Sequence, residues 1–189
     1  MLQRMLCAAL LAASACAQAQ ETTWNFTYQG FLDAETGVFD AARTLTGTFS
    51  GTDGNADGIV ALDEVTVLTV DGRNYLSPFD GGCVASESPY LRCSVSRFSY
   101  ARTGELVFNV GYGGHDEFFT SWYGGVRTGD RITFGRQTGM ESSETNYLWT
   151  ERTAFSITPA PVPEPAMLPM ALAGLAVVGL ARRRAKVSV

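Results

Sequence analysis

Apolar and polar residues alternate along most of the chain between residues 20 and 158, with the two-residue period of half-buried strands. Trp24, Phe26 and Tyr28 alternate with polar neighbours, as do Leu45, Gly47 and Phe49. Val65 to Val70 is rich in β-branched residues. Further runs hold Val95, Phe98 and Tyr100, then Leu106 to Tyr112, Phe118 to Tyr123, Ile132 to Phe134, Tyr147 to Trp149 and Ala154 to Ile157. Turn chemistry separates several of them: Arg102-Thr103-Gly104, Gly113-Gly114-His115, Arg127-Thr128-Gly129-Asp130 and Gln137-Thr138-Gly139. No stretch of helical period interrupts the series. About nine or ten short strands at this spacing predict a mainly β domain, an antiparallel β-sandwich with jelly-roll-like arrangements included.

The two ends read differently. Arg4 precedes an apolar run from Met5 to Ala15, and the small residues Ala17-Gln18-Ala19 follow. This is the pattern of a signal peptide over residues 1–19, removed by signal peptidase after Ala19. The run is too short to stay as a spanning anchor. Cys16 raises a lipoprotein alternative, which Ala13 opposes, since that position normally carries a large aliphatic residue. At the other end, residues 159–165 form a Pro-rich linker. Residues 166–181 are uncharged and apolar all round, which predicts a transmembrane helix of roughly 24 Å. Residues 182–189 form a basic tail, whose charge keeps it on the cytoplasmic side of the inner membrane.

Val162-Pro163-Glu164-Pro165, the apolar segment from Ala166, and Arg182, Arg183 and Arg184 together resemble the PEP-CTERM sorting tail. The resemblance covers only the end of the chain. It implies a Gram-negative bacterium that makes exopolysaccharide, and a membrane exosortase that recognises and removes the tail. The protein is then expected at the cell surface or in the extracellular matrix. A plain single-pass anchor is the alternative.

Charge narrows the partners. The part between residues 20 and 165 carries nine arginines, no lysine and nineteen acidic residues, a net charge of −10. That favours solubility and contact with cations, and it opposes nucleic-acid binding. Two cysteines, Cys7 and Cys16, belong to the leader. The remaining pair, Cys83 and Cys93, is expected to form a structural disulfide in an oxidising compartment.

Asp53-Gly54-Asn55-Ala56-Asp57-Gly58-Ile59-Val60-Ala61-Leu62-Asp63-Glu64 fits the spacing of a calcium loop at every fixed position. Ca²⁺ takes six to eight oxygens. Asp53, Asn55 and Asp57 supply side-chain oxygens at loop positions 1, 3 and 5, and Ile59 supplies its carbonyl. Glu64 supplies two oxygens at position 12, and Gly58 permits the sharp turn. The loop resembles that of EF-hands and dockerin-like modules. Its flanks read as strands rather than paired helices, so the expectation is one structural Ca²⁺ between two strands, with Leu62 to Val65 as a single helical turn.

Catalytic patterns are weak. His115 is the only histidine and no Gly-x-Ser-x-Gly occurs. A two-carboxylate glycosidase could draw on Glu105, Asp116, Glu117 and Asp130. Tyr112, Phe118, Phe119, Trp122 and Tyr123 read either as core or as a sugar platform. The sequence thus predicts an exported, non-enzymatic envelope or matrix protein that contacts exopolysaccharide. A carbohydrate-active enzyme on a β-sandwich is the alternative.

Overall fold

The computed structural model describes residues 21–76, Cys83 and residues 90–159. The expected signal helix and the segment 166–181 lie outside the described residues. Among those described, no helix is long and apolar enough to cross a membrane.

The described residues form β1 (Thr22–Asp33), β2 (Phe39–Gly51), β3 (Ile59–Ala61), β4 (Val65–Val70), β5 (Arg73–Asn74) and β6 (Arg92–Ala101). Then come β7 (Leu106–His115), β8 (Thr120–Arg127), β9 (Arg131–Thr138), β10 (Glu141–Leu148) and β11 (Ala154–Thr158). A 3₁₀ turn over Leu62–Glu64 separates β3 from β4, as the sequence predicts. The strand positions follow the alternation, except that the run expected from Phe118 to Tyr123 begins only at Thr120 and continues to Arg127. One predicted turn does not form: Gly113, Gly114 and His115 continue β7 and pair with Tyr123, Trp122 and Ser121 of β8. The chain turns instead at Asp116, whose carboxylate takes the backbone N–H of Phe118 and of Thr120, both at 2.8 Å.

The expected pair of separate sheets is replaced by one antiparallel sheet that curls into a half-barrel, in the order β3-β6-β7-β8-β9-β10-β1-β2-β4-β5. The joining strand is β1. Its residues Asn25–Gln29 pair with β11, and Leu32 and Asp33 pair with β10. It changes neighbour at Gly30, where the register to β2 slips and φ is +84°. A bulge at this point bends the strand and increases its twist. The chemistry of each strand is that of a sandwich; the bend at Gly30 makes the sheet continuous.

Curling brings the two halves face to face. Trp24, Phe26, Leu45, Phe49 and Leu68 from one half meet Phe98, Tyr100, Phe108, Val126 and Ile132 from the other in one buried cluster. Ring centroids stand 5.4 Å apart for Phe26 and Phe108, 5.0 Å for Phe49 and Phe98, and 5.2 Å for Trp24 and Tyr100. Tyr28 crosses the same gap, its hydroxyl donating to the Leu106 carbonyl at 3.0 Å.

Three cross-strand pairs set a glycine opposite an aromatic residue: Phe26 with Gly47, Tyr112 with Gly124, and Tyr123 with Gly135. A Cβ on those glycines would lie 2.2, 2.6 and 2.1 Å from the facing ring. The ring covers the bare backbone, which returns apolar contact that a strand glycine otherwise forfeits.

Candidate functional site

The acidic loop runs from the end of β2 to the 3₁₀ turn. Its two ends are pressed together at Gly51, where a Cβ would meet the Glu64 carbonyl at 2.7 Å and Val60 Cγ1 at 2.9 Å. Val60 is fully buried and pins the loop to the core. Ala56 and Gly58 take left-handed conformations, φ +58° and +82°. The second of these is the turn for which the sequence supplies glycine.

Side-chain oxygens organise the backbone between these points. Asp53 is buried and accepts from the N–H of Asp57 at 3.1 Å and of Gly58 at 3.0 Å. Asn55 accepts from the N–H of Asp57 at 2.9 Å, and Asp57 from the N–H of Ile59 at 2.8 Å. Glu64 folds back across the loop. One oxygen takes the N–H of Gly54 at 2.8 Å and of Asn55 at 3.4 Å, the other the N–H of Ala61 at 3.1 Å. The bonds from Ala61 and Gly54 hold its carboxyl below the usual carboxylate range. Arg102, in the turn after β6, brings its Nε to 3.5 Å from Asp53.

The donor set is therefore all oxygen, which suits a hard cation rather than zinc or copper. The loop is closed by backbone N–H groups. Among the described residues no three His, Cys, Asp or Glu side chains are gathered at metal-ligand spacing. Arg102 is a participant that the motif did not reveal, because it reaches the loop from another hairpin.

The remaining candidates disperse. Cys83 and Cys93 form a disulfide, with Cα atoms 5.2 Å apart. Tyr112 and Trp122 lie on the inward face, while Phe118 and Phe119 are exposed in the β7–β8 turn and Tyr123 points outward. His115 stacks on Tyr90 at 4.7 Å. Asp116 organises its turn, Glu117 accepts from Tyr90, and Asp130 pairs with Arg127 and Arg131. The sorting residues 162–165 and 182–184 lie outside the described residues.

Disulfides such as Cys83–Cys93 are common in exported proteins. The C-terminal stretch fixes the protein's route: residues 161–185 match the PEP-CTERM protein-sorting motif. That motif marks an exported protein of Gram-negative bacteria that carries a C-terminal exosortase sorting signal. No curated protein and no solved structure matches the chain.

Proposed function

We propose that this protein is a non-enzymatic component of the cell surface or extracellular matrix that contacts exopolysaccharide, with one structural Ca²⁺ held by the loop Asp53–Glu64. Signal peptidase removes residues 1–19, the segment 166–181 enters the inner membrane transiently, and exosortase removes the tail. The calcium ligands are Asp53, Asn55, Asp57 and Glu64, with the Ile59 carbonyl. The observation that supports the reading is the fold-back of Glu64, loop position 12, onto the N–H of Gly54, the residue that follows position 1. A bound Ca²⁺ would supply the charge that draws these carboxylates together from the backbone N–H groups they now accept from. At millimolar calcium and the affinities of extracellular sites, it stabilises by roughly 0.4–1.4 kcal/mol.

Calorimetric titration of the full chain with Ca²⁺, alongside thermal melts and the Glu64→Gln variant, tests this. Binding and a rise in Tm are expected in the wild type alone. No response in either protein reduces the loop to a polar turn. Mass spectrometry of the cell-associated protein tests the processing: loss of roughly 3 kDa from the C-terminus is expected, and an intact C-terminus supports a plain anchor instead.

A further inference from the structure

The outward face of β6–β10 differs from the rest of the domain in charge and in relief. Cross-strand register sets Arg97, Asn109, Arg127 and Arg131 side by side in one row across β6, β7, β8 and β9. Two rows along, Arg92 lies on the same face, in register with Gly113. Four of the nine arginines between residues 20 and 165 are thus gathered on one face of a strongly acidic domain. The acids beside them are Glu144 and Asp130. Asp130 stands between Arg127, at 3.9 Å, and Arg131, at 3.3 Å, which holds the two guanidinium groups in place.

The surface next to the arginine row carries few side chains. Gly111, Gly113 and Gly125 point outward there. Gly125 is required by packing, since a Cβ would sit 2.7 Å from the Val110 carbonyl. Gly111 and Gly113 are not: their added Cβ atoms would meet nothing nearer than 3.6 and 3.8 Å, ordinary contact distances. Glycine inside a strand lowers stability and marks close approach to backbone. A shallow depression of about 400 Å³ opens at Gly125, bordered by Asn109, Arg127, Asp130, Arg131 and Thr133. Its far side is a fixed polar network. The Tyr123 hydroxyl donates to Glu144 at 2.6 Å, the Asn146 amide donates to Glu144 at 2.8 Å, and Thr133 donates to Asn146 at 2.7 Å.

We propose that this face binds an extended acidic polysaccharide, a site and ligand class that deepen the matrix-binding reading above and rest on it. Uronate carboxylates meet the guanidinium row, the rings lie over the bare backbone of Gly111 and Gly113, and their hydroxyls reach Asn109 and the Tyr123–Glu144–Asn146 network. Charge complementarity selects an acidic chain over a neutral one. Single-stranded nucleic acid is disfavoured, because the arginine row and the row of Ser94, Gly111, Gly125 and Thr133 beside it hold no aromatic side chain, and a stack of rings is what successive bases use.

The test is titration of the full chain with hyaluronate, dextran and poly(dT), read by calorimetry. Hyaluronate is expected to bind, more weakly at high salt, and dextran not to bind. The double variant Gly111→Ala, Gly113→Ala raises the floor by two methyl groups that meet nothing nearer than 3.6 Å, so it is expected to keep or raise Tm while hyaluronate affinity falls at least tenfold. Arg97→Gln with Arg131→Gln, two exposed positions, gives the same loss without touching the strands' packing. Folded variants that retain wild-type hyaluronate binding overturn the site and leave matrix binding standing. Binding of dextran alone overturns the acidic ligand. Poly(dT) binding as tight as hyaluronate overturns the sugar. If neither polysaccharide binds the wild type, the matrix-binding reading falls together with this site.

Discussion

Gly47→Ala examines how tightly the two halves of the sheet are joined. Gly47 faces Phe26 in the β1–β2 ladder and Val70 in the β2–β4 ladder. An added Cβ would lie 2.2 Å from Phe26 Cζ and 2.5 Å from the Thr69 carbonyl. The ring has little room to retreat, for Phe26 is buried with Phe108 at 5.4 Å and Phe49 at 6.4 Å. The carbonyl moves only if the β2–β4 pairing loosens. Overpacking of this kind costs roughly 1–3 kcal/mol, offset by about 0.5–1 kcal/mol from replacing a strand glycine. The net loss is about 1–2 kcal/mol, or roughly 4–8 °C in Tm for a domain of this size. Thermal denaturation followed by circular dichroism measures it. Phe26→Leu in the same background removes the ring clash and leaves the carbonyl clash, so the double variant is expected to lose less than the two single losses added. A Gly47→Ala protein that melts at or above wild type, or strict additivity in the cycle, would refute the placement of the ring over the glycine.

Other consequences are as direct. Backbone N–H groups of Thr120 and Phe118 hold the Asp116 carboxyl below the usual range, and those of Thr36 and Glu35 do the same for Asp33. Each therefore adds stability above the ordinary carboxylate range that is lost as pH falls through the lowered value. Melting temperature is expected to decline as pH falls below the ordinary carboxylate range of about 4, and less so in Asp116→Asn with Asp33→Asn. Burial pushes the Tyr28 phenol far up, so ultraviolet titration is expected to show this hydroxyl un-ionised until the domain unfolds. Tyr28→Phe leaves the Leu106 carbonyl without its donor, at a cost of roughly 1–2 kcal/mol. Reducing the Cys83–Cys93 bond, which closes a short loop with a sequence separation of 10, lowers stability by roughly 2–3 kcal/mol in denaturant titration. Arg102→Gln removes a positive charge 3.5 Å from Asp53, and calcium affinity by calorimetry is expected to rise about three- to tenfold.

Local patterns were the legible part of this fold. Trp24, Phe26 and Tyr28 declare their strand because burial alternates residue by residue. The turn at Gly58 and the return at Glu64 are written within twelve residues of chain. Where partners are distant, the signal disappears. Nothing near Gly30 states that β1 will leave β11 for β10 there. Gly113-Gly114-His115 has the composition of a turn, yet β8 stands alongside and the ladder runs through it. The glycine–aromatic pairs are equally silent, since Gly47 looks like a weak strand residue until Phe26 is laid over it. Arg102 follows the same rule: its bond to Asp53 depends on how β3 and β6 pair, with Arg102 donating its own N–H to the Gly58 carbonyl at 2.9 Å.

The placement of β1 between β2 on one side and β10 and β11 on the other has a temporal meaning. A chain that emerges N-terminus first presents β1 early, but two of the strands that flank it arrive last. Closure across so long a separation is slow compared with hairpin formation. The exposed edge of β1 is therefore a waiting position, and β11 is the piece that ends the wait. That strand stops at Thr158, just before the sorting motif begins at residue 161. Delivery of the last strand and delivery of the sorting signal are consecutive moments of one translocation. A chain cut short of β11 lacks both its final rung and its address, so the sorted population is drawn only from chains equipped to finish folding.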